Sequence, residues 1–402
     1  MSAPPFADWT LAFLQVLYRA QVALAQVLRV AGATGDADGQ AAWPWPQRIA
    51  LETLRIDAGL TRQLALAFAL TALAAAFALA ALVLRRRRVV WAGAAVLAGV
   101  CAPWPPAALW LAPAVPTSFQ RSPAPLSVTN LTRGAQLYGR HCVACHGADG
   151  RGEGPLAASL AHWPPTFAGT LLARRLDGEL YWRVRHGLHD AQRTASTPGF
   201  DTTFSAPDTW ALLDYLKALA AGSGAQAGGA WPAPVALPAL DVRCGEHGAI
   251  QALERWRDGQ RVRVVALAPG APPPAEDARW QTLLVTRNAV APPAAHGRAN
   301  CVAATADAWR VFATIAGLAP DALGGTQFLA DRAGWLRARA LPGQAGWSDA
   351  DLLCRAGDAG PAAAAPGIAG STAGRDALTA LTALLLRFDA DPVRDVQAGL
   401  PH

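Results

Sequence analysis

The stretch His141-Cys142-Val143-Ala144-Cys145-His146-Gly147 holds two thiols separated by two residues, with a histidine directly after the second thiol. This Cys-x-x-Cys-His spacing is typical of covalent haem attachment, because the two thiols can reach the two vinyl groups of one porphyrin. The following histidine then lies under the iron and can bind it through an imidazole nitrogen. The motif therefore predicts one haem c, bound by Cys142 and Cys145, with His146 as the proximal iron ligand.

The alternatives are a chance match or half of a zinc site, and the flanking sequence disfavours both. A tetrahedral zinc site needs a second pair of ligands, and no second Cys-x-x-Cys or suitable histidine pair follows the motif. Instead, Leu131–Arg140 predicts a helix leading into the motif, and Gly147–Pro155 predicts a glycine-rich loop around one haem edge. Asp208–Ala220, DTWALLDYLKALA, predicts an amphipathic closing helix rich in aromatic residues.

This order of helix, haem loop and aromatic closing helix resembles a class I cytochrome c, over residues 124–221. The stretches PTSFQRSPAPLSVTNLTRGAQLYGRHCVACHGADGRGEGP, DGELYWRVRHGL and TPGF resemble the cytochrome module attached to copper-resistance D-type membrane proteins. The resemblance implies an all-α haem domain in which Pro155 or Pro165 offers a backbone carbonyl to the other ring nitrogen of His146. We take Pro155 as the cofactor-binding residue. Because few apolar spans remain, we do not expect a full copper-resistance membrane domain.

The resemblance also implies a methionine as the sixth iron ligand, and here the chain departs from the family. The corresponding loop is Ser196-Thr197-Pro198-Gly199-Phe200, and the single methionine of the chain is Met1. Methionine ligation within this domain is therefore excluded by composition. Five-coordinate iron, a bound water or hydroxide, and a histidine ligand remain open; the candidate histidines, with His189 preferred, are His162, His186 and His189.

The N-terminal part predicts a membrane anchor over residues 61–116, with two spans at about 64–84 and 89–111. Leu64–Leu84, LALAFALTALAAAFALAALVL, has no charged residue and a length that suits the hydrocarbon core. Arg85–Arg88 follow directly, and positive residues stay on the cytoplasmic side. We therefore expect a bacterial inner-membrane protein with its haem and C-terminal domains in the periplasm. Haem attachment in bacteria is periplasmic and requires the same orientation.

Residues 1–60 predict an amphipathic N-terminal region. Within Asp8–Ala33 one stripe at heptad spacing is polar, and the other faces are mostly apolar; the stripe consists of Gln15, Arg19, Gln26 and Arg29. Two interpretations remain open: a helix lying on the membrane surface, which we favour, or a third span packed through its polar stripe.

Composition limits the other function classes. The net charge is +6, but the arginine run adjoins an apolar segment and no nucleic-acid motif is present, so we expect no nucleic-acid partner. Six cysteines are too few and too spread for a disulfide scaffold. Whether Cys244 and Cys301 meet in space is left open by the sequence.

Residues 222–235 predict a linker because glycine, alanine and proline dominate them. Residues 236–358 predict an α/β domain with a helix at Ala249–Arg257 and another at Thr305–Leu318. Its strands are expected at Arg261–Ala268 and Trp280–Thr286, with a hairpin over Thr326–Leu341. GGTQFLADRAGWLRARALPG and GWSDADLL resemble thioredoxin-like proteins, but the Cys-x-x-Cys is missing. Residues 359–402 predict a low-complexity linker and a C-terminal helix over Arg375–Phe388.

The function expected from these features is single-electron transfer by a membrane-anchored monohaem c-type cytochrome beside a redox partner protein in or at the membrane. It is more an electron-transfer protein than an enzyme, and no catalytic residue is assigned. One alternative is a haem-based gas sensor or weak peroxidase, suggested by the missing methionine. Another is a copper or thiol maturation factor, suggested by the C-terminal resemblance.

Overall fold

The computed structural model describes residues 6–189, 195–229, 231–244, 250–275, 277–291, 300–343, 347, 373–390 and 393. These residues form two compact units. Unit 1 contains the chain up to Gln120 together with Arg174–Glu179, and unit 2 contains Arg121–Ala173 together with the chain from Leu180 onward. The GWSDADLL stretch, apart from Trp347, and the low-complexity segment up to residue 372 lie outside the described residues.

Unit 1 begins with the long helix α1 (Phe6–Val30), which buries one face in the core of the unit. Short strands follow, β1 (Asp36–Ala37) pairing with β2 (Gln40–Ala41), then β3 (Gln47–Ile49) and the helix α2 (Leu51–Ile56). The buried face of α1 carries Leu14, Leu17 and Tyr18, and the rest of the core comes from α2, the next helix and two aromatic side chains, Trp43 and Phe119. α1 is therefore partly a core helix, although it is also apolar and long enough to cross a membrane.

The helices α3 (Ala58–Val83) and α4 (Arg88–Val100) form an antiparallel hairpin with the arginine run at its tip. Phe77 contacts Trp91 near the tip, at a ring separation of 5.6 Å. At the base, the Gln63 side-chain amide donates to the Pro103 carbonyl at 3.0 Å. The outer faces are apolar and exposed, as at Leu82 and Val89, each 78% exposed. The length and apolar character of α3 suit a membrane span.

The second predicted span, 89–111, is corrected by the structure. α4 ends at Val100, and its 13 residues rise about 20 Å, less than the roughly 30 Å of a hydrocarbon core. Residues 101–103 complete the return outside the helix, where Pro103 lies beside Gln63 near the start of α3. Three prolines between residues 103 and 106 prevent the helix from continuing. After the short helix α5 (Ala107–Trp110), the strand β4 (Leu111–Pro113) pairs antiparallel with β3, so residues 107–113 fold back onto unit 1.

A buried ion cluster ties Arg174–Glu179 into unit 1. Arg48 is only 2% exposed, and its guanidinium donates to Glu179 Oε1 at 2.5 Å and to Glu52 Oε1 at 2.8 Å. Burial alone would lower the pKa of Arg48, but the hydrogen bonds to Glu52 and Glu179 outweigh it and hold that pKa above its ordinary value. Removing one partner would leave an uncompensated buried charge, which is strongly destabilising.

In unit 2 the helices α6 (Val128–His141) and α7 (Val143–His146) contain the haem motif. The helix α8 (Asp177–His186) and a small hairpin, β5 (Leu188–His189) with β6 (Ala195–Thr197), precede the long helix α9 (Ala206–Gly228). α6 crosses α9 so closely that a Cβ on Gly134 would lie 2.1 Å from the Ala211 carbonyl oxygen. α6 and α9 agree with the predicted helices. The β5–β6 strand pair was not predicted, so the haem domain is not purely α-helical.

The predicted linker 222–235 is not a linker over its first half, because α9 continues to Gly228 and buries residues 222–225. Alanine, serine and glycine dominate this stretch, and the first proline is Pro232. Small side chains allow the helix α11 (Asp307–Ala316) to approach α9 closely: a Cβ on Gly222 would lie 1.9 Å from the Thr314 carbonyl oxygen. The small residues that suggested a flexible linker instead allow α9 and α11 to pack closely.

We expect Gly222→Ala to lower the free energy of unfolding by about 3 kcal/mol, because the added methyl group must push two backbones apart. Gly228 is the matched control, since it lies in the same helix with nothing within 4 Å of an added Cβ. Gly228→Ala should raise stability by about 0.5–1 kcal/mol. Denaturant unfolding followed by circular dichroism measures both changes, and equal effects would show that the close approach is unimportant.

The C-terminal part of unit 2 is one eight-stranded sheet in the order β7-β14-β13-β10-β11-β12-β8-β9. β10, β11 and β12 are parallel, and every other neighbouring pair is antiparallel. In chain order the strands are β7 (Val235–Ala236), β8 (Asp241–Cys244), β9 (Ile250–Ala252), β10 (Val262–Ala266), β11 (Gln281–Val285), β12 (Asn300–Ala303), β13 (Gln327–Ala330) and β14 (Trp335–Ala340).

Helices cover both faces of this sheet, which agrees with the predicted α/β class. α9 and α11 share the larger core with one face, and α12 (Ala373–Ala390) covers the other through Leu384, Leu385 and Phe388. The predicted strands, the hairpin and the two later helices are present. The helix expected at Ala249–Arg257 is only α10 (Leu253–Arg257), preceded by β9, and β12 was not predicted.

Candidate haem site

The motif folds as a helical turn that continues from α6. Cys142 donates its backbone N–H to the Tyr138 carbonyl at 2.9 Å, and His146 donates to the Cys142 carbonyl at 2.9 Å. The buried Tyr138 hydroxyl donates to the Gly147 carbonyl at 2.6 Å and fixes the end of the turn. The turn thus presents the two thiols and the imidazole from one short segment.

The glycine-rich loop after the motif requires glycine at two close approaches. A Cβ on Gly154 would lie 2.4 Å from the Ala144 carbonyl oxygen. Gly152 has a φ of +86°, and a Cβ there would lie 2.2 Å from the Pro164 carbonyl oxygen. Backbone hydrogen bonds from Gly152 to His146 and from Gly154 to Cys145 hold the loop against the motif.

His146 is held in the form that can bind a metal. Burial lowers its pKa, and the smaller effect of the Pro165 backbone acts in the opposite direction. A lowered pKa favours the neutral imidazole, which is the form that ligates iron. The backbone group that acts on the ring is that of Pro165, which lines the same cavity as His146; the expected residue Pro155 does not line this cavity. The Nδ1 atom is buried and makes no hydrogen bond of good geometry.

The two thiols are free and partly buried. Burial, together with the neighbouring Cys145, raises the pKa of Cys142 to about 11. The thiol of Cys142 is therefore protonated at neutral pH.

A cavity of about 390 Å³ opens beside the motif. Its lining is mostly apolar and includes residues of the haem motif and of the Thr197 loop, where the family resemblance implies a methionine. The lining residues are Cys145, His146, Leu160, His162, Trp163, Pro164, Pro165, Leu188, Thr197 and Pro198. Its volume lies in the range of about 300–1,000 Å³ that is usual for cofactor sites. Cys145, His146 and an apolar wall at this cavity, with Cys142 in the same helical turn, fit a covalently bound haem.

The structure places the three candidate histidines differently. His162 is exposed and lines this cavity together with Thr197. His186 packs against Trp182, with ring centroids 3.9 Å apart. His189 lies in β5, and its side chain is outside the described part of the chain, so its role as sixth ligand stays a prediction. β5 pairs Leu188 with Thr197, which fixes the backbone of Thr197 beside the cavity.

Sequence reasoning missed two aromatic residues of the site and left open whether two cysteines of the C-terminal sheet are bonded. Trp163 lines the cavity, and Phe167 stacks on His146. Neither carries a sequence signal, because both follow the motif through an irregular segment. Cys244 and Cys301 form a disulfide between the neighbouring strands β8 and β12, a bond typical of oxidising compartments. The pairing register of β8 and β12 places the two cysteines opposite each other, and this register cannot be inferred from their separation in the sequence.

A cytochrome c family model matches residues 131–220. No curated protein matches the chain. Among solved structures, the Kuenenia stuttgartiensis reducing HAO-like protein complex Kustc0457/Kustc0458 is similar, with 22% sequence identity and a TM-score of 0.22 over 31% of this chain and 59% of that chain. This chain therefore spans less than two thirds of that relative, and so low a TM-score supports no structural argument. Residues 131–220 form a cytochrome c domain, and that family implies covalently bound haem c.

Proposed function

We propose that this chain is a membrane-anchored monohaem c-type cytochrome that transfers single electrons on the periplasmic side of a bacterial inner membrane. The observation that carries the proposal is that Cys145, His146 and the Thr197 loop line one largely apolar cavity, with Cys142 in the same helical turn as Cys145 and His146. The bound haem supplies one-electron chemistry. Cys142 and Cys145 would hold it, His146 would offer a ring nitrogen to the iron, and Trp163 and Leu160 would contribute to the apolar wall around it.

A redox titration tests the electron-transfer role. We expect one haem per chain by the pyridine haemochrome assay and a reversible transition that fits a single one-electron step. The physical reason is that the only Cys-x-x-Cys-His in the sequence supplies one set of attachment residues. A second haem per chain, or haem that cannot be reduced and reoxidised reversibly, would contradict the proposal.

The α3–α4 hairpin supports anchoring. Its outer faces are apolar and exposed, its tip holds Arg85–Arg88, and its base returns the chain next to Gln63. Basic residues at the tip favour the cytoplasmic side, so both ends of the hairpin would lie in the periplasm. Anchoring beside a membrane redox partner would keep the effective concentration of the haem domain high.

Reporter fusions test this topology. A fusion after Arg88 should report the cytoplasm, and a fusion after Ala221 should report the periplasm, because the charged tip resists translocation. The matched control replaces Arg85–Arg88 by glutamine within the same fusions, which should weaken the difference between the two sites. Identical reports from the two unmodified fusions would mean that α3 and α4 do not place the haem domain outside.

A haem-based gas sensor or weak peroxidase is the second candidate, favoured by Thr197 in the cavity wall where relatives carry methionine.

For the C-terminal sheet we propose a degenerate thioredoxin-like interaction module, supported by the GGTQFLADRAGW stretch, which leads into and forms the β13–β14 hairpin. A copper or thiol maturation role would have to use Cys244 and Cys301, which pair across strands rather than within a Cys-x-x-Cys. We also propose that the haem domain is related to the cytochrome module of copper-resistance D-type membrane proteins.

A further inference from the structure

Phe167 lies flat against the imidazole that the proposed function assigns to the iron. The two ring centroids are 4.6 Å apart, and the ring planes are inclined by only 22°. An imidazole that bonds to iron through one nitrogen can still rotate about its Cβ–Cγ bond and about the iron–nitrogen axis. A parallel aromatic ring on one face opposes that rotation, because any turn of the imidazole would drive its edge into the neighbouring ring.

Phe167 is itself firmly placed. Its backbone N–H donates to the Gly150 carbonyl at 2.7 Å, which ties it to the glycine-rich loop. Its ring packs over Gly150, where an added Cβ would lie 3.3 Å from Phe167 Cδ2 and 3.0 Å from Leu219 Cδ2. The half-buried ring therefore lies between the imidazole, the loop and α9, and these contacts oppose its movement away from His146.

The same segment also borders the imidazole at its edge. Pro165, two residues before Phe167, lines the haem cavity together with His146. The buried Nδ1 atom of His146 makes no hydrogen bond of good geometry within the described part of the chain. The stacking contact with Phe167 on the ring face is therefore the contact that opposes rotation of the imidazole plane.

We propose that Phe167 is a positioning residue that sets the orientation of the His146 imidazole plane at the haem iron. This inference rests on the proposed haem function. The imidazole plane determines how the ferric iron d orbitals split, so it is measurable without any activity assay. Groups that orient a metal-bound histidine from outside the coordination sphere commonly change the properties of the metal when they are replaced.

The test is electron paramagnetic resonance of the ferric full-length protein saturated with cyanide. Cyanide makes the iron low-spin whatever the native sixth ligand is, and it is cylindrically symmetric, so the imidazole plane dominates the spectrum. We expect Phe167→Leu to shift and broaden the feature at the largest g value while the haem content stays at one per chain. Phe167→Tyr, which keeps the aromatic face, should restore the parent spectrum.

Phe204→Leu is the matched control. Phe204 is buried in the same domain and contacts Phe200 and His141, so its replacement tests for a general loss of packing. A parent-like spectrum in Phe167→Leu, or an equal change in Phe204→Leu, overturns the inference. If Phe167→Leu does not accumulate, Phe167→Ile replaces it, and a parent-like spectrum in that variant is equally decisive. A parent protein without haem would instead refute the proposed function itself.

Discussion

Cys142→Ala combined with Cys145→Ala will leave the protein without covalently bound haem, and each single replacement will abolish stable attachment. Both thioether bonds of the proposed haem would come from these two residues, which one helical turn presents together, with Cys145 lining the cavity. With a single thiol the porphyrin cannot be held at both vinyl positions. A denaturing gel stained for haem measures the loss, with protein amount normalised by immunoblot.

Cys101→Ala is the matched control for this experiment. Cys101 is also a free thiol, but it is exposed at the end of α4 and far from the motif in sequence. Its replacement should leave the haem band at full intensity. An undiminished haem band in the double variant would mean that the motif is not the attachment site, and the assignment of His146 would then fail with it.

The candidate attachment site could be proposed from the sequence because its chemistry is local. Cys142, Cys145 and His146 lie within five residues, and their spacing alone fits one porphyrin. The flanking helices also follow from local pattern, since α6 has its apolar residues on one face. The carbonyl beside His146 could not be chosen in the same way. Pro155 and Pro165 are both near in sequence, and only the path of the loop shows that Pro165, not Pro155, lines the cavity with His146.

The domain boundary was mispredicted because composition does not report tertiary packing. The stretch from Gly222 to Gly228 has the glycine and alanine content of a flexible linker. Alanine is a strong helix former, and glycine lets two helices meet at backbone distance, as Gly222 and Gly317 do. The helix is therefore stabilised by α11, a partner that lies about ninety residues further along the chain. Packing between distant segments, not local propensity, decides this boundary.

Thr197→Met should convert the site to methionine ligation and raise the reduction potential of the haem. Thr197 lines the cavity with His146, and the pairing of β5 with β6 fixes its backbone. A threonine hydroxyl is a poor ligand for haem iron, whereas a methionine thioether binds it and favours the reduced state. Axial ligands set haem potentials over a range of about 0.8 V, so the change should be large.

The measurements are a potentiometric titration and the long-wavelength absorption band that the family resemblance associates with methionine-ligated ferric haem. The band should be absent in the parent protein and present in Thr197→Met. The control is Thr202→Met, because Thr202 is exposed in the following loop and does not line the cavity. Its spectrum and potential should match those of the parent.

Carbon monoxide then distinguishes the states of the parent site. The reduced parent should bind carbon monoxide readily if no side chain closes the sixth position, and Thr197→Met should bind it far more slowly because the thioether must leave first. A parent that is fully low-spin and inert to carbon monoxide would indicate a histidine ligand. In that case His189→Ala should open the site, and an unchanged spectrum in His189→Ala would transfer the role to His162, which lines the cavity, or to His186. A Thr197→Met protein with the parent's potential and absorption would show that residue 197 does not face the iron.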